Sequence, residues 1–191
     1  MKSTGFNFVT QVSEVNEDLI GEGLVAAELA VALAEAKARA VAREMPDAAV
    51  IGADTVVSKN GVLYAKPQHS DDAHRMLHEL AASSHTVITG VAVVANSELL
   101  SGHVSTIVNM RNYDAVEIAN YVESGSPLDK AGGYGIQDES FMPVASIEGC
   151  YLNVVGLPIC LTGELLSSAQ IISSADHPTC AGHNSLRGLS V

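Results

Sequence analysis

The stretch Ala48-Ala49-Val50-Ile51-Gly52-Ala53-Asp54-Thr55-Val56-Val57 is almost continuously apolar, with one acid inside it. A strand that is apolar at both odd and even positions has to be covered on both faces. That requirement calls for helices on either side of a sheet, which is an α/β arrangement. The chain has 191 residues, which fits one compact unit at roughly 100–200 residues per domain. Hydrophobic residues make up 47%, enough for a core, while aromatic residues contribute only 4% and Trp is absent. The interior therefore rests on Val, Ile, Leu and Ala.

Helices and strands alternate along the chain. Residues 5–13 alternate apolar and polar, the pattern of a half-buried strand. An acidic loop, Glu14 to Glu22, leads to a helix from about Leu24 to Glu44, rich in Ala, Leu and Glu. Pro46 and Asp47 end it. After the apolar strand, Asn60-Gly61 forms a turn. Ser70 caps a helix with Asp71 and Asp72 in its first turn. Thr86–Ala95 and Glu98–Met110 read as a hairpin across Asn96-Ser97. Asp114 opens a helix closed by Gly125, a strand lies near Ser146–Val155, and Pro158 starts a last helix reaching about Ser168. The expected sheet is mixed and twisted, with helices packed on it.

Charge narrows the partners. Five lysines and five arginines stand against 22 acids, a net charge of −12. Such a surface has no counterion-releasing face for a nucleic acid polymer. An anionic ligand must be small and held by a few local cations or a metal. The most apolar long stretch, Leu24 to Ala42, is interrupted by Glu28, Glu35, Lys37 and Arg39, so no membrane span is expected. The amino terminus lacks the apolar core of a signal peptide. Cys150, Cys160 and Cys180 form no Cys-x-x-Cys pair and read as reduced thiols of a cytoplasmic protein. From residue 167 to 191 the composition turns Ser-rich and aperiodic, which reads as a disordered extension; its His177, Cys180 and His183 lack a fourth ligand for zinc.

Three features can carry chemistry. Asp54 inside an apolar strand is costly to bury unless paired or metal-bound. It is a metal ligand or base near a strand end, or an acid paired with Lys59. Lys66, stiffened by Pro67, can point at a phosphate or into solvent, and Lys37 reads as an exposed helix residue beside Glu35. Asp129-Lys130-Ala131-Gly132-Gly133-Tyr134-Gly135-Ile136-Gln137 has glycines that permit close backbone approach to a ligand, but no Walker or dinucleotide pattern.

In order, Gly52-Ala53-Asp54-Thr55-Val56-Val57, Lys66-Pro67, Val87-Ile88-Thr89-Gly90-Val91, the run Gly125 to Gln137, Ile147-Glu148-Gly149 and Asn153-Val154-Val155-Gly156-Leu157-Pro158 resemble the Maf family of nucleoside triphosphate pyrophosphatases. The resemblance covers roughly residues 5–166, so that a domain spans residues 1–166. It implies a fold related to inosine triphosphatases, a homodimer, and hydrolysis of a nucleoside triphosphate to monophosphate and pyrophosphate with Mg²⁺ or Mn²⁺. Asp54 matches the proton-accepting acid, which is also a metal ligand, and Glu17 matches a second metal- or water-binding acid. Lys37 and Lys66 match the lysines that contact the triphosphate. Thr55 and Gln137 match positions tied to base choice and resemble the branch acting on dTTP and UTP. Family members begin with a strand, a Ser-x-Ser-Pro-Arg-Arg loop and a helix, for which this chain has no counterpart ahead of Gly5-Phe6-Asn7-Phe8. That loop offers backbone N–H groups and arginines to phosphate. Either the true start lies upstream, or the resemblance implies a truncated, weakened enzyme or, alternatively, a non-catalytic nucleotide-binding protein.

Overall fold

The computed structural model describes residues 7–172 and 186–190. After a 3-10 turn at Glu17–Leu19, the elements are α1 (Ala26–Glu44), β1 (Val50–Lys59), β2 (Val62–Tyr64), α2 (Ser70–Leu80), β3 (Ser84–Ala95), β4 (Glu98–Met110), α3 (Ala115–Glu123), β5 (Val144–Glu148), α4 (Tyr151–Val155), α5 (Ile159–Ser168) and β6 (Leu186–Ser190). The sheet order is β2-β1-β3-β4-β5, with β6 also pairing β4.

The α/β architecture is the expected one, a sheet with helices on both faces. α1 covers one face, where Ala30, Ala34 and Ala38 pack with Val50, Val56, Ile88 and Ala92. On the other face α2 and α3 cover Val57, Val87 and Val108, and α5 covers Val91, Val93 and Val104. β1 is thus buried on both sides, as its unbroken apolar run requires.

Strand direction differs from the expectation of a mixed sheet: among the described residues every ladder is antiparallel. The strand–helix–strand order suggests a parallel crossover from β1 through α2 to β3. Instead the Asn60-Gly61 turn sends the chain back along β2 first, with Val57 opposite Tyr64. The chain therefore enters β3 from the far end, and Val50 faces Val94. Along the outer edge of β1, residues 50–56 have no ladder partner among the described residues.

Two other segments differ. Residues 7–13 form no strand; Val9 and Val12 are 78% and 82% exposed. Alternation makes a segment amphipathic, but a strand also needs a partner to bond. The strand expected near Ser146–Val155 is split: β5 ends at Glu148, Gly149 takes φ +131°, and Tyr151–Val155 coils into α4. His69, not Ser70, caps α2, its ring accepting from the Asp72 N–H at 3.2 Å. Asp114 caps α3 as expected, accepting from the N–H groups of Val116 and Glu117.

Cys160 is disulfide-bonded rather than reduced, and Cys150 is a buried thiol. A low cysteine count argues against a multi-bridge framework but not against one bridge. His177, Cys180 and His183 lie outside the described residues. Among the described residues, no helix is long and apolar enough to cross a membrane.

Candidate active site

The site begins with how closely α1 lies on the sheet. A Cβ added at Gly52 would collide with the carbonyl oxygen of Ala34, and one at Gly90 with that of Ala30. Two strand glycines under a helix of alanines let the backbones meet directly. That approach carries Lys37, nearly one turn beyond Ala34 on α1, over β1. Asp54 lies two residues beyond Gly52, on the same face of the strand, and sits opposite Gly90 in the ladder.

Lys37 Nζ donates to Asp54 Oδ1 at 2.5 Å and lies 2.7 Å from Glu17 Oε1. Glu17 comes from the 3-10 turn ahead of α1, whose start is held by the Asn16 side chain accepting from the Asp18 N–H. One ammonium thus joins two carboxylates from separate segments. Burial pushes the Asp54 carboxyl above its ordinary value and the Glu17 charge adds to this, while Lys37 and Lys66 pull the other way. Burial also opposes charge on Lys37, but its two acids hold the proton and its pKa is raised.

Asp54 also lines a cleft of about 420 Å³ together with Thr55, Lys66, Lys130, Tyr134, Gln137 and Asp138. Asp54, Thr55, Lys66 and Gln137 therefore share one cavity; Lys37 abuts it through Asp54, and Glu17 through Lys37. Lys37 is neither an exposed residue nor a partner of Glu35, which instead accepts from the Ser101 hydroxyl at 2.6 Å. Lys59 is not the partner of Asp54. It donates to the Glu79 carbonyl and to Ser83 Oγ.

Thr55 is held from below. The Thr89 hydroxyl donates to the Asn153 carbonyl at 2.8 Å, so Thr55 Oγ1, 2.9 Å from Thr89 Oγ1, is the donor between them. Asn153 is fully buried. Its amide donates to the Val87 carbonyl and Thr106 Oγ1 and accepts from the Thr89 N–H. This network ties α4 to β3 and β4 beneath the cleft.

The carboxylates of Glu17 and Asp54 are hard oxygen donors that both reach Lys37 Nζ, and oxygen donors suit Mg²⁺ or Mn²⁺ better than a thiophilic metal. Among the described residues, no group of three or more His, Cys, Asp or Glu side chains is placed to hold a metal ion. An ion held by this pair would need water and phosphate oxygens for the rest of its shell, as Mg²⁺ commonly does.

Several lining side chains carry no signal in the sequence. Lys130 donates to the Ser126 carbonyl and Asp129 at 2.6 and 2.7 Å. Asp138 accepts from the Tyr121 hydroxyl and from the Gly135 N–H. Tyr134 reaches His85 on β3. The glycines of this segment mark it as ligand-facing, but no spacing rule reveals which side chains pin it.

A family model described as Maf-like protein matches residues 1–169. A dTTP/UTP pyrophosphatase of Dehalococcoides mccartyi (strain 195) is 43% identical over 169 residues, covering 87% of this chain and 75% of that protein. The dTTP/UTP pyrophosphatase of Symbiobacterium thermophilum is 43% identical, covering 87% of this chain and 86% of its own. That of Moorella thermoacetica is 46% identical over 165 residues, covering 85% and 84%. A match of this extent, with the acid–lysine–acid cluster opening on a cleft that also holds Lys66, places the chain in the Maf family.

Proposed function

We propose that this chain is a nucleoside triphosphate pyrophosphatase that hydrolyses dTTP and UTP to the monophosphate and pyrophosphate. The reading is carried by one observation: Glu17, Lys37 and Asp54 meet at the wall of a cleft that also holds Lys66 and Gln137. The relatives named dTTP/UTP pyrophosphatases, at 40–46% identity, favour turnover over the non-catalytic alternative.

In this reading water attacks the α-phosphorus, the bond from the α-phosphorus to the bridging oxygen breaks, and pyrophosphate leaves. Asp54 orients the water and takes its proton; a carboxyl raised by burial is a better base than an ordinary one. Lys66 and Lys37 face the charge that grows on the leaving group. Gln137 and Thr55 border the place for the base. Glu17 and Asp54 would hold Mg²⁺ or Mn²⁺, and that ion, when bound, polarises phosphoryl oxygens. A homodimer in the cytoplasm completes the proposal, on the strength of the family resemblance.

The test is pyrophosphate release from dTTP and UTP with Mg²⁺ or Mn²⁺, measured beside Asp54→Asn. Release well above the variant is expected. Release no greater than the variant's would overturn the reading.

A further inference from the structure

His85 and Tyr134 form a buried polar pair whose cost the stability of the fold does not explain. They are 4% and 5% exposed. His85 Nε2 lies 2.6 Å from the Tyr134 hydroxyl, and the rings meet edge to face with centroids 5.4 Å apart. His85 stands on β3, two residues before Val87 and opposite Val108, in a neighbourhood of Val, Leu and Met. Its Nδ1 is buried with no hydrogen-bond partner. An unpaired buried nitrogen is costly, and an apolar pair of the same shape would avoid that cost.

The position of Tyr134 supplies a reason. Its ring forms part of the cleft wall, and the next four residues, Gly135 to Asp138, line the same cleft. The backbone here is poorly restrained by regular structure. Gly132 and Gly133 both take left-handed φ, +71° and +74°. The main-chain bonds outside regular structure here are Gly132 N–H to the Ala65 carbonyl, Gly133 N–H to the Lys130 carbonyl and Asp138 N–H to the Gly135 carbonyl, and only the first reaches beyond the segment and its flank. Side chains take over that task at two points: Tyr134 on His85, and Asp138 on the Tyr121 hydroxyl. The first anchors the segment to the sheet itself.

We propose that His85 and Tyr134 are a positioning pair that holds the Gly133–Gln137 segment in its nucleotide-binding shape. The pair touches no reacting atom, so it acts on substrate binding and leaves the chemical step alone. This deepens the pyrophosphatase reading and rests on it. The geometry also makes a prediction about the free protein: without the pair, the segment opens more often.

The experiment compares wild type, Tyr134→Phe, His85→Gln and His85→Leu by steady-state kinetics on dTTP and by amide hydrogen exchange over residues 131–138 without nucleotide. Thermal unfolding establishes that each variant is folded. Tyr134→Phe removes only the hydroxyl, and is expected to raise KM about tenfold while kcat stays within about twofold. Exchange in the segment should quicken by a similar factor. His85→Leu should behave likewise, and His85→Gln, whose amide can still bond a phenol, should recover most of the wild-type KM. A folded Tyr134→Phe with unchanged KM, or with the loss confined to kcat, overturns the proposal. Should wild type itself not turn over dTTP, the pyrophosphatase reading falls, and the exchange measurement alone decides: unchanged exchange at 131–138 overturns the positioning role.

Discussion

Lys37 reaches Asp54 at 2.5 Å because at Gly52 and Gly90 the backbone of α1 rests directly on the backbone of the sheet. Gly90 is one of the two positions that permit this approach. Gly90→Ala would drive a methyl into the Ala30 carbonyl, and backbone cannot rotate away as a side chain can. We expect a loss of about 1–3 kcal/mol in urea unfolding. We also expect pyrophosphatase activity to fall more than the folded fraction does, since Lys37 moves with the helix. Activity that tracks the folded fraction would show that α1 does not set the site.

The ion cluster has its own signature. Lys37→Met leaves the Glu17 and Asp54 carboxylates facing each other, with the Asp54 side chain only 14% exposed. The cluster is part solvated, so the expected loss lies between that of surface and buried pairs, about 1–2 kcal/mol. Glu17→Gln in the same background should restore some of it by removing the repulsion. A double variant no more stable than the single one would contradict the shared-ammonium geometry.

Asp54 also predicts a pH profile. A base must be deprotonated to act, and its carboxyl is raised above the ordinary 3.8 by burial. Without a metal ion the Asp54 carboxyl should therefore titrate, by NMR, above an ordinary aspartate, and the acid limb of kcat/KM reports the same group with the ion bound. Lys37 pulls this pKa down, so in Lys37→Met the limb should move to still higher pH, over a lower plateau. A limb that stays put or moves down would separate Asp54 from proton transfer.

What is legible in the sequence follows from local rules, and what is not comes from contacts between distant segments. The unbroken apolar run of β1 announces a strand covered on both faces, and Asp114 announces a helix start. Lys37 looks like a solvated helix residue because its neighbours along α1 include Glu35; only Gly52 and Gly90, on other elements, bring it inward. Asn153 sits in a run that reads as strand. Four hydrogen bonds to β3 and β4 coil that run into α4 instead. Propensity yields there to the need to satisfy a buried amide. The family motifs bring Glu17, Lys37, Asp54, Thr55, Lys66 and Gln137 into one proposal; the fold lines one cleft with Asp54, Thr55, Lys66 and Gln137 and ties Lys37 and Glu17 to its edge by ion pairs.

Asn153→Ala should be among the most damaging single changes outside the cleft. It strands the Thr89 N–H and the Val87 carbonyl in a dry interior and loosens Thr89 under Thr55. Each orphaned group costs about 1–3 kcal/mol, so a total above about 2 kcal/mol is expected in equilibrium unfolding. A loss under that figure would mean that water or a repacked side chain meets these groups.

His85 makes stability itself depend on pH. Burial, helped by the Lys59 charge, lowers its pKa from 6.5 to about 4. The folded protein therefore keeps the ring neutral where the unfolded chain already binds a proton. The contribution is fully present above pH 6.5, shrinks as pH falls, and is gone below about pH 4, where both states are protonated. A shift of this size corresponds to about 3 kcal/mol across the window. Unfolding followed by circular dichroism between pH 7 and pH 4 should show this slope in wild type, and a shallower one in His85→Gln, which has no ring to protonate. Equal slopes in the two proteins would assign the acid sensitivity to other groups, and would place His85 in a wetter setting than its 4% exposure indicates.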